Sequence, residues 1–577
     1  MTAVGGTRTP RSMLEGLLLL GAAAFTVHQF GESSASYQGY LLPQGGTVSV
    51  PPLELVFFTW YTVYGLTFVA LTTLALERFG FAVRLADGFT RAARWKGWLV
   101  VLPLLAGATS VAVRLTLVQR QAITDDEEVY RFIARTLLAG RVINPLPPEP
   151  QFFQNQFIVL NAQGWFGKYP IGHPLVLALG QSLRLEDFLL PAMGGVTAWL
   201  THRLARALMG PRRAVLALVL VALSPHFTWT YATLLSQTTS CFALTLAVTL
   251  LAGRRPSSRA RVGAGLALGL GLLARPAPGA LFIPVAMLVC WKADKALPLV
   301  PRAMAQLGLL LPASLAGVAL LAVNAAQVGA PLESGYQTVH GSLGWFWGGV
   351  AGQTGLSVFA ALWRENFWLL GWPLSLLPVA LARPSRGKLL LFGPLVAELA
   401  YRLAVPKTVV STTGPVYVME VVPILAVLAA DGLARLRVLS SARWGKSVAA
   451  GRVSSAASAS AVAALLMFLP VMAGTLARAG DVRQVLPKLL ADNGIARAVI
   501  FCDTTVPRDS AATWAYYPPN PDPALTDPVI VLRWPRGAPP EVLAEFAARR
   551  FPDRPAYQFL PGTEPRLVPL KAGPTPN

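Results

Sequence analysis

Charge is what this chain has least of. Only 13% of its 577 residues are Asp, Glu, Lys or Arg, about half the share usual in soluble chains. A string of soluble domains is thereby excluded, and a mean hydropathy of +0.51 excludes disorder over most of the length. Cysteine is nearly absent: Cys241, Cys290 and Cys502 cannot make a disulfide framework, and the first two stand in apolar runs. Acidic residues are scarce, 28 against 49 basic ones, for a formal charge of +21. No G-x-G-x-x-G or P-loop pattern worth defending is present.

Long apolar runs are plentiful. At about 20 residues per crossing, thirteen spans are expected, at about 13–31, 53–76, 97–118, 187–207, 213–232, 236–252, 262–275, 277–291, 304–326, 366–383, 387–403, 415–434 and 455–476. The fold class is therefore an all-α polytopic membrane protein. Basic residues collect on alternate connections: five in 78–96, then Arg203, Arg206, Arg212 and Arg213, then five in 435–452. The loops 32–52, 233–235, 327–365 and 404–414 hold only Arg364 and Lys407. That asymmetry puts the N-terminus in the cytoplasm. It also makes the positive charge a topology signal, so no nucleic-acid partner is expected. The apolar stretch 170–183 breaks the alternation if counted as a span, and reads as a short helix in the outer interface. The Ser- and Ala-rich stretch 440–460 reads as a flexible inner connector.

Four units follow. Residues 1–96 carry two additional N-terminal spans, 97–434 a membrane core with its first outer loop at 119–186, 435–476 an inner connector and the last span, and 477–577 a small extracytoplasmic α/β cap. In the cap, strands are expected at Ala498–Phe501, Val529–Leu532 and near 556–559, with a helix over 540–550.

The first outer loop is where the acidic residues gather. Asp125, Asp126, Glu127 and Glu128 are consecutive, and Val129, Phe132, Ile133, Thr136 and Leu137 follow with helical spacing. Thr124-x-x-Glu127 is a capping box, which accounts for Glu127 and one Asp. Four clustered carboxylates beside lipid exceed what a helix dipole balances. They call for a cation, a raised pKa or a substrate proton to accept. Downstream, Lys168 stands among aromatics in Gly164-Trp165-Phe166-Gly167-Lys168-Tyr169-Pro170-Ile171-Gly172-His173-Pro174. It reads as either a snorkelling interfacial lysine or a phosphate contact.

The Asp-Glu-x-x-Tyr turn after an early span, followed by Lys-Tyr-Pro-x-Gly-His-Pro, resembles the type-C (GT-C) integral-membrane glycosyltransferases. The similarity is to the protein mannosyltransferase and aminoarabinose transferase branch and to bacterial lipopolysaccharide-core enzymes. Leu223-Ser224-Pro225, Leu273-Ala274-Arg275-Pro276, Gly371-Trp372-Pro373 and the run Gly414–Pro423 agree in order, so the resemblance covers about 97–434. Two departures stand out. Leu235-Ser236-Gln237-Thr238 lacks the Asp many relatives carry after span five, and Val416 replaces the Arg many carry before Tyr417.

The resemblance implies a lipid-phosphate-dependent sugar transferase. The donor is a polyprenyl-phosphate sugar and the acceptor a glycan, lipid or protein. Asp126 is the expected base, Asp125 the alternate, and Glu127 a contact to metal or acceptor. Lys168 and Arg275 would receive the phosphate, and Tyr130, Tyr169, His173, Tyr417 and Glu420 would line the site. Asp126, Glu127 and His226 are the expected ligands of a divalent cation, magnesium or manganese, and Gln237 is a neutral stand-in for the missing Asp. Each also has an ordinary reading: Arg275 as an interfacial arginine, the histidines as hydrogen-bonded residues, Glu420 as a polar group between helices. Gly335-Tyr336 and the aromatic run 344–349 read as a mobile platform over sugar or lipid, or as interfacial anchors. The competing functions are a transporter or flippase, and a polymerase or ligase, for lipid-linked glycans.

Overall fold

The computed structural model describes residues 10–35, 52–155, 157–340, 351–383, 387–404, 413–503, 519–535, 537–560 and 564–570. The chain is predominantly helical. Among the described residues seven helices are long and apolar enough to cross a membrane: Pro10–Ser34, Glu54–Arg78, Trp98–Thr116, Pro276–Ala293, Leu299–Val328, Val416–Trp444 and Lys446–Arg483. The protein is thus an integral, multi-pass membrane protein.

Several of the thirteen expected spans take a different form. The stretch 213–232 is two helices, Pro211–Ala222 and Pro225–Thr230, divided where Ser224 caps the second by accepting from the Phe227 N–H. The stretch 366–383 is not one helix either. The Ala351–Trp368 helix ends before Gly371-Trp372-Pro373, and a short Leu376–Ala380 helix follows. Ser236–Leu251 and Leu389–Tyr401 are apolar but short. Helices covered by protein on most sides can break, because neighbouring protein satisfies the freed backbone groups.

The expected connector 440–460 is helical. Gly445, at φ 75°, separates Val422–Trp444 from Lys446–Ala463, which continues to Arg483. Its Ala, Ser and Gly residues let helices approach closely, and a Cβ on Gly451 would lie 3.1 Å from the backbone of Ala82.

The expected outer loop, 119–186, contains the Asp125–Leu138 helix, a hairpin of β1 (Ile158–Asn161) and β2 (Gly164–Gly167), and the Gly172–Ser182 helix. The hairpin turn is fixed by Asn161 Oδ1, which accepts from the N–H groups of Gln163 and Gly164. In the C-terminal region β3 (Ala498–Asp503), β4 (Val529–Trp534), β5 (Ala556–Leu560) and β6 (Arg566–Pro569) form one sheet in the order β4-β3-β5-β6, with only the β5–β6 pair antiparallel. Alternation along β3 sends Val499 and Phe501 to one face and Ile500 and Cys502 to the other. The first face packs on Phe546 of the Pro540–Arg550 helix and on Phe152 of the outer loop, whose rings stack 4.0 Å apart. Outer loop and C-terminal sheet therefore share one apolar core.

Candidate active site

Thr124 caps the acidic helix as its sequence requires, its Oγ1 accepting from the Glu127 N–H at 3.3 Å. Of the four carboxylates on this turn, Glu128 pairs with Arg131 at 3.5 Å and the other three leave in three directions. Glu127 is wholly buried; its Oε1 accepts from the Thr124 hydroxyl at 3.2 Å and its Oε2 from the Leu234 N–H at 3.2 Å. Burial pushes its carboxyl up to about 7. Asp125 pairs with Arg483 at 3.2 Å, and burial raises it to about 6 against that arginine's pull. Asp126 alone faces the aromatic centre, where its Oδ1 accepts from the Tyr169 hydroxyl.

The hairpin delivers Lys168 and Tyr169 to that centre. Gly167 at the end of β2 lies against Val129 and Ile133 of the acidic helix. Lys168 is buried, with Nζ 3.2 Å from the centroid of the Phe157 ring and 4.9 Å from those of Tyr169 and Tyr336. Three aromatic faces around one ammonium hold its charge out of water. The Tyr336 ring is there because Gly335 has no side chain: a Cβ would lie 2.6 Å from the Lys168 Cα. Tyr130 packs its ring 4.6 Å from Tyr169 and donates its hydroxyl to Ser236 Oγ at 2.9 Å. Burial, and after it the Asp126 charge, pushes the Tyr130 phenol well above its ordinary range.

Arg275 closes the other side. Its Nε lies 3.1 Å from Glu420 Oε1, and its guanidinium sits 5.0 Å from the centroid of the Tyr417 ring. Both side chains of the pair are nearly inaccessible. The Gly-His-Pro and Leu-Ala-Arg-Pro elements are brought together by Gly172, where a Cβ would meet the carbonyl carbon of Leu273 at 2.4 Å. The Tyr336 ring lies 5.3 Å from that of Tyr169, and burial, with the Asp126 charge adding to it and Arg275 opposing, pushes the Tyr336 phenol well above its ordinary range. Asp126, Tyr130, Lys168, Tyr169, Arg275, Tyr417 and Glu420 thus stand around one centre.

The other expected site residues are elsewhere or otherwise occupied. His173 is buried with both ring nitrogens engaged: Nδ1 is 2.8 Å from Thr239 Oγ1 and Nε2 2.7 Å from the Leu234 carbonyl. Because a carbonyl only accepts, Nε2 carries the hydrogen. Burial pulls the ring down to about 4, so it is a neutral strut rather than a phosphate contact. His226 does not join Asp126 and Glu127. Its Nδ1 lies 2.8 Å from Glu365 Oε2, both groups are buried, and Gly414 packs on the ring. Among the described residues no three His, Cys, Asp or Glu side chains come together to hold a metal ion. With His226 held by Glu365, the expected trio of Asp126, Glu127 and His226 does not fit a divalent cation. Gln237 is buried, its Oε1 without a hydrogen-bond partner among the described residues. The aromatic run 344–349 lies outside the described residues, as does Lys407.

Sequence reading missed Phe157, Glu365 and Arg483. Glu365, a carboxylate at the head of an apolar run, carried a signal of its own. Phe157 and Arg483 are recognisable only through their partners.

Residues 171–320 match the family described as dolichyl-phosphate-mannose-protein mannosyltransferase. That match falls inside the stretch for which the GT-C resemblance was drawn and bears it out. No curated protein matches the chain. Among solved structures, ArnT from Cupriavidus metallidurans bound to undecaprenyl phosphate is similar at 15% identity and a TM-score of 0.48, over 81% of this chain and 93% of that one. The archaeal oligosaccharyltransferase AglB from Archaeoglobus fulgidus, in complex with an inhibitory peptide and a dolichol-phosphate, is similar at 12% identity and a TM-score of 0.39, over 80% of this chain and 69% of that one.

Proposed function

We propose that the protein is a membrane glycosyltransferase. It moves a sugar from a polyprenyl-phosphate donor to a hydroxyl acceptor, on a lipid, a cell-surface glycan or a protein, at the outer face of the inner membrane. The N-terminus is then cytoplasmic and the C-terminal sheet extracytoplasmic. One observation carries this reading: a carboxylate held by a tyrosine hydroxyl stands in the same buried centre as two cations, Lys168 and Arg275. The family matched over 171–320 is described by a sugar on a lipid phosphate, which is the donor class proposed.

Asp126 accepts the proton of the acceptor hydroxyl as that oxygen attacks the anomeric carbon. The bond from the anomeric carbon to the phosphate oxygen breaks through an oxocarbenium-like state. Negative charge grows on the leaving phosphate, and Lys168 and Arg275 are the groups placed to receive it. Asp125 and Glu127 are spoken for by Arg483, Thr124 and Leu234, which leaves Asp126 as the base.

The test is transfer by the purified full-length protein, supplied with a panel of polyprenyl-phosphate sugars and counted as polyprenyl phosphate released. Asp126→Asn is expected to lower turnover by about 10²–10⁴-fold, the usual worth of a positioned base. Wild-type turnover in that variant removes Asp126 as base. Movement of intact donor across the bilayer without phosphate release would replace the transferase with a flippase.

A further inference from the structure

We infer that Arg483, on the last membrane helix, is a positioning residue that holds the catalytic turn so that Asp126 faces the centre. This rests on the reading of Asp126 as the base. Asp125 and Asp126 are adjacent on the first turn, yet Asp126 meets Tyr169 while Asp125 meets Arg483 Nη2 at 3.2 Å. The Arg483 side chain is 9% exposed and that of Asp125 18%. A carboxylate so placed needs a counter-charge, and two adjacent carboxylates repel. With Arg483 removed, Asp125 loses the cation that draws it away from the aromatic centre, and Thr124, Glu127 and Tyr169 are left to hold the turn by themselves.

The same stretch of helix grips the chain leading into the turn. A Cβ on Gly480 would lie 2.4 Å from the Leu117 carbonyl oxygen, so the two backbones touch. Gln119 Nε2 donates to Asp481 Oδ1 at 2.6 Å, and Gln484 Nε2 donates to the Gln119 carbonyl at 3.3 Å. Gln119 and Arg120 both have positive φ, 54° and 60°, a conformation that persists only where surroundings enforce it. From below, buried Arg114 donates to the carbonyls of Gln121 and Arg120 at 2.7 and 2.8 Å. The reversal between the Trp98–Thr116 helix and the acidic helix is therefore clamped, and Arg483 is the part of the clamp that reaches the catalytic turn itself. Beyond Arg483 the chain runs through the Val485–Asp492 helix into the C-terminal sheet, which packs on the same outer loop. The clamp gives that sheet a mechanical link to the reacting centre.

Two measurements on the full-length protein test this. Hydrogen–deuterium exchange without added ligand should show the amides of 125–130 exchanging about tenfold faster or more in Arg483→Ala than in wild type. The amides of β3 and β4 should stay unchanged, and Arg483→Lys should return most of the protection. In the transfer assay, with an undecaprenyl-phosphate-linked sugar as donor, Arg483→Ala should lower kcat by up to about 10²-fold, the cost of a misplaced catalytic group, while donor KM stays near wild type. Asp125→Asn should do the same, and the double variant should lose no more than either single one. Unchanged exchange at 125–130 overturns the inference even if no donor proves active. So does wild-type kcat in Arg483→Ala, a lysine variant no better than alanine, or losses that multiply in the double variant. Should Arg483→Ala fail to fold, Arg483→Lys and Asp125→Asn carry the same comparisons. An active Asp126→Asn would remove the base while leaving the exchange result standing, so the two failures are distinguishable.

Discussion

The backbone N–H of Leu234 donates to Glu127 Oε2 at 3.2 Å, across 107 residues of chain. This bond ties the acidic turn to the short connection before the Ser236–Leu251 helix, from which Ser236 receives the Tyr130 hydroxyl. Glu127 is thus a strut between two halves of the site.

Its chemistry gives the first prediction. Burial raises the carboxyl from its ordinary 4.5 to about 7. Between those values the folded chain holds a proton that the unfolded chain has lost, so stability falls as pH rises through the window. Glu127→Gln lacks this dependence. Thermal unfolding in detergent from pH 5 to 8 should therefore fall more steeply for wild type than for Glu127→Gln. Glu127→Ala should cost about 1–3 kcal/mol by leaving the Leu234 N–H unpaired. Equal slopes in wild type and Glu127→Gln would refute the assignment.

Tyr169→Phe removes the hydroxyl that holds Asp126. A hydrogen bond to a charged group is worth about 1.5–3 kcal/mol, so turnover should drop about 10- to 100-fold with folding intact. Because burial keeps the Tyr169 phenol protonated well above its ordinary range, the variant's deficit should be constant over neutral pH. A pH–rate series on both proteins checks this.

Arg275 and Glu420 stand or fall as a pair. Arg275→Met takes the paired cation from a buried carboxylate, at about 3–5 kcal/mol. Adding Glu420→Met should restore stability and leave donor binding weak, because the phosphate cation is still missing. Recovery of donor binding in the double variant would take Arg275 out of the phosphate site.

Gly172→Ala places a methyl 2.4 Å from the Leu273 carbonyl carbon. Overpacking should cost about 1–3 kcal/mol. Turnover should fall as well, because the added methyl pushes Arg275 away from Lys168. A variant with wild-type unfolding and turnover would show that the two elements have slack.

Chelation tests the metal. With Asp126 bound by Tyr169, Glu127 by Leu234 and His226 by Glu365, transfer should survive exhaustive EDTA treatment. A loss restored by magnesium or manganese would show that substrate phosphate, or residues outside the described set, supply the missing ligands.

Much of this was legible in the chain. Apolar runs long enough to span lipid mark a multi-pass protein, because lipid admits no unsatisfied backbone. The capping box, the acidic turn and the Lys-Tyr-Pro-x-Gly-His-Pro element name the pieces of the site, because local hydrogen bonding and backbone sterics depend on neighbours in sequence. Short β-like runs located β3, β4 and β5, and a helix-like stretch the Pro540–Arg550 helix. What the sequence could not assign was partners. Four adjacent carboxylates look alike in the chain, and only neighbours from Leu234, Tyr169 and Arg483 separate three of them into a strut, the proposed base and an anchor. His173 and His226 look equally able to bind a ligand, until Thr239, Leu234 and Glu365 occupy them. Expected spans broke into shorter helices for the same reason: whether a helix needs its own apolar coat depends on what packs around it. Local propensity is a property of a few neighbouring residues, whereas charge pairing and burial belong to groups that meet only when distant segments fold together.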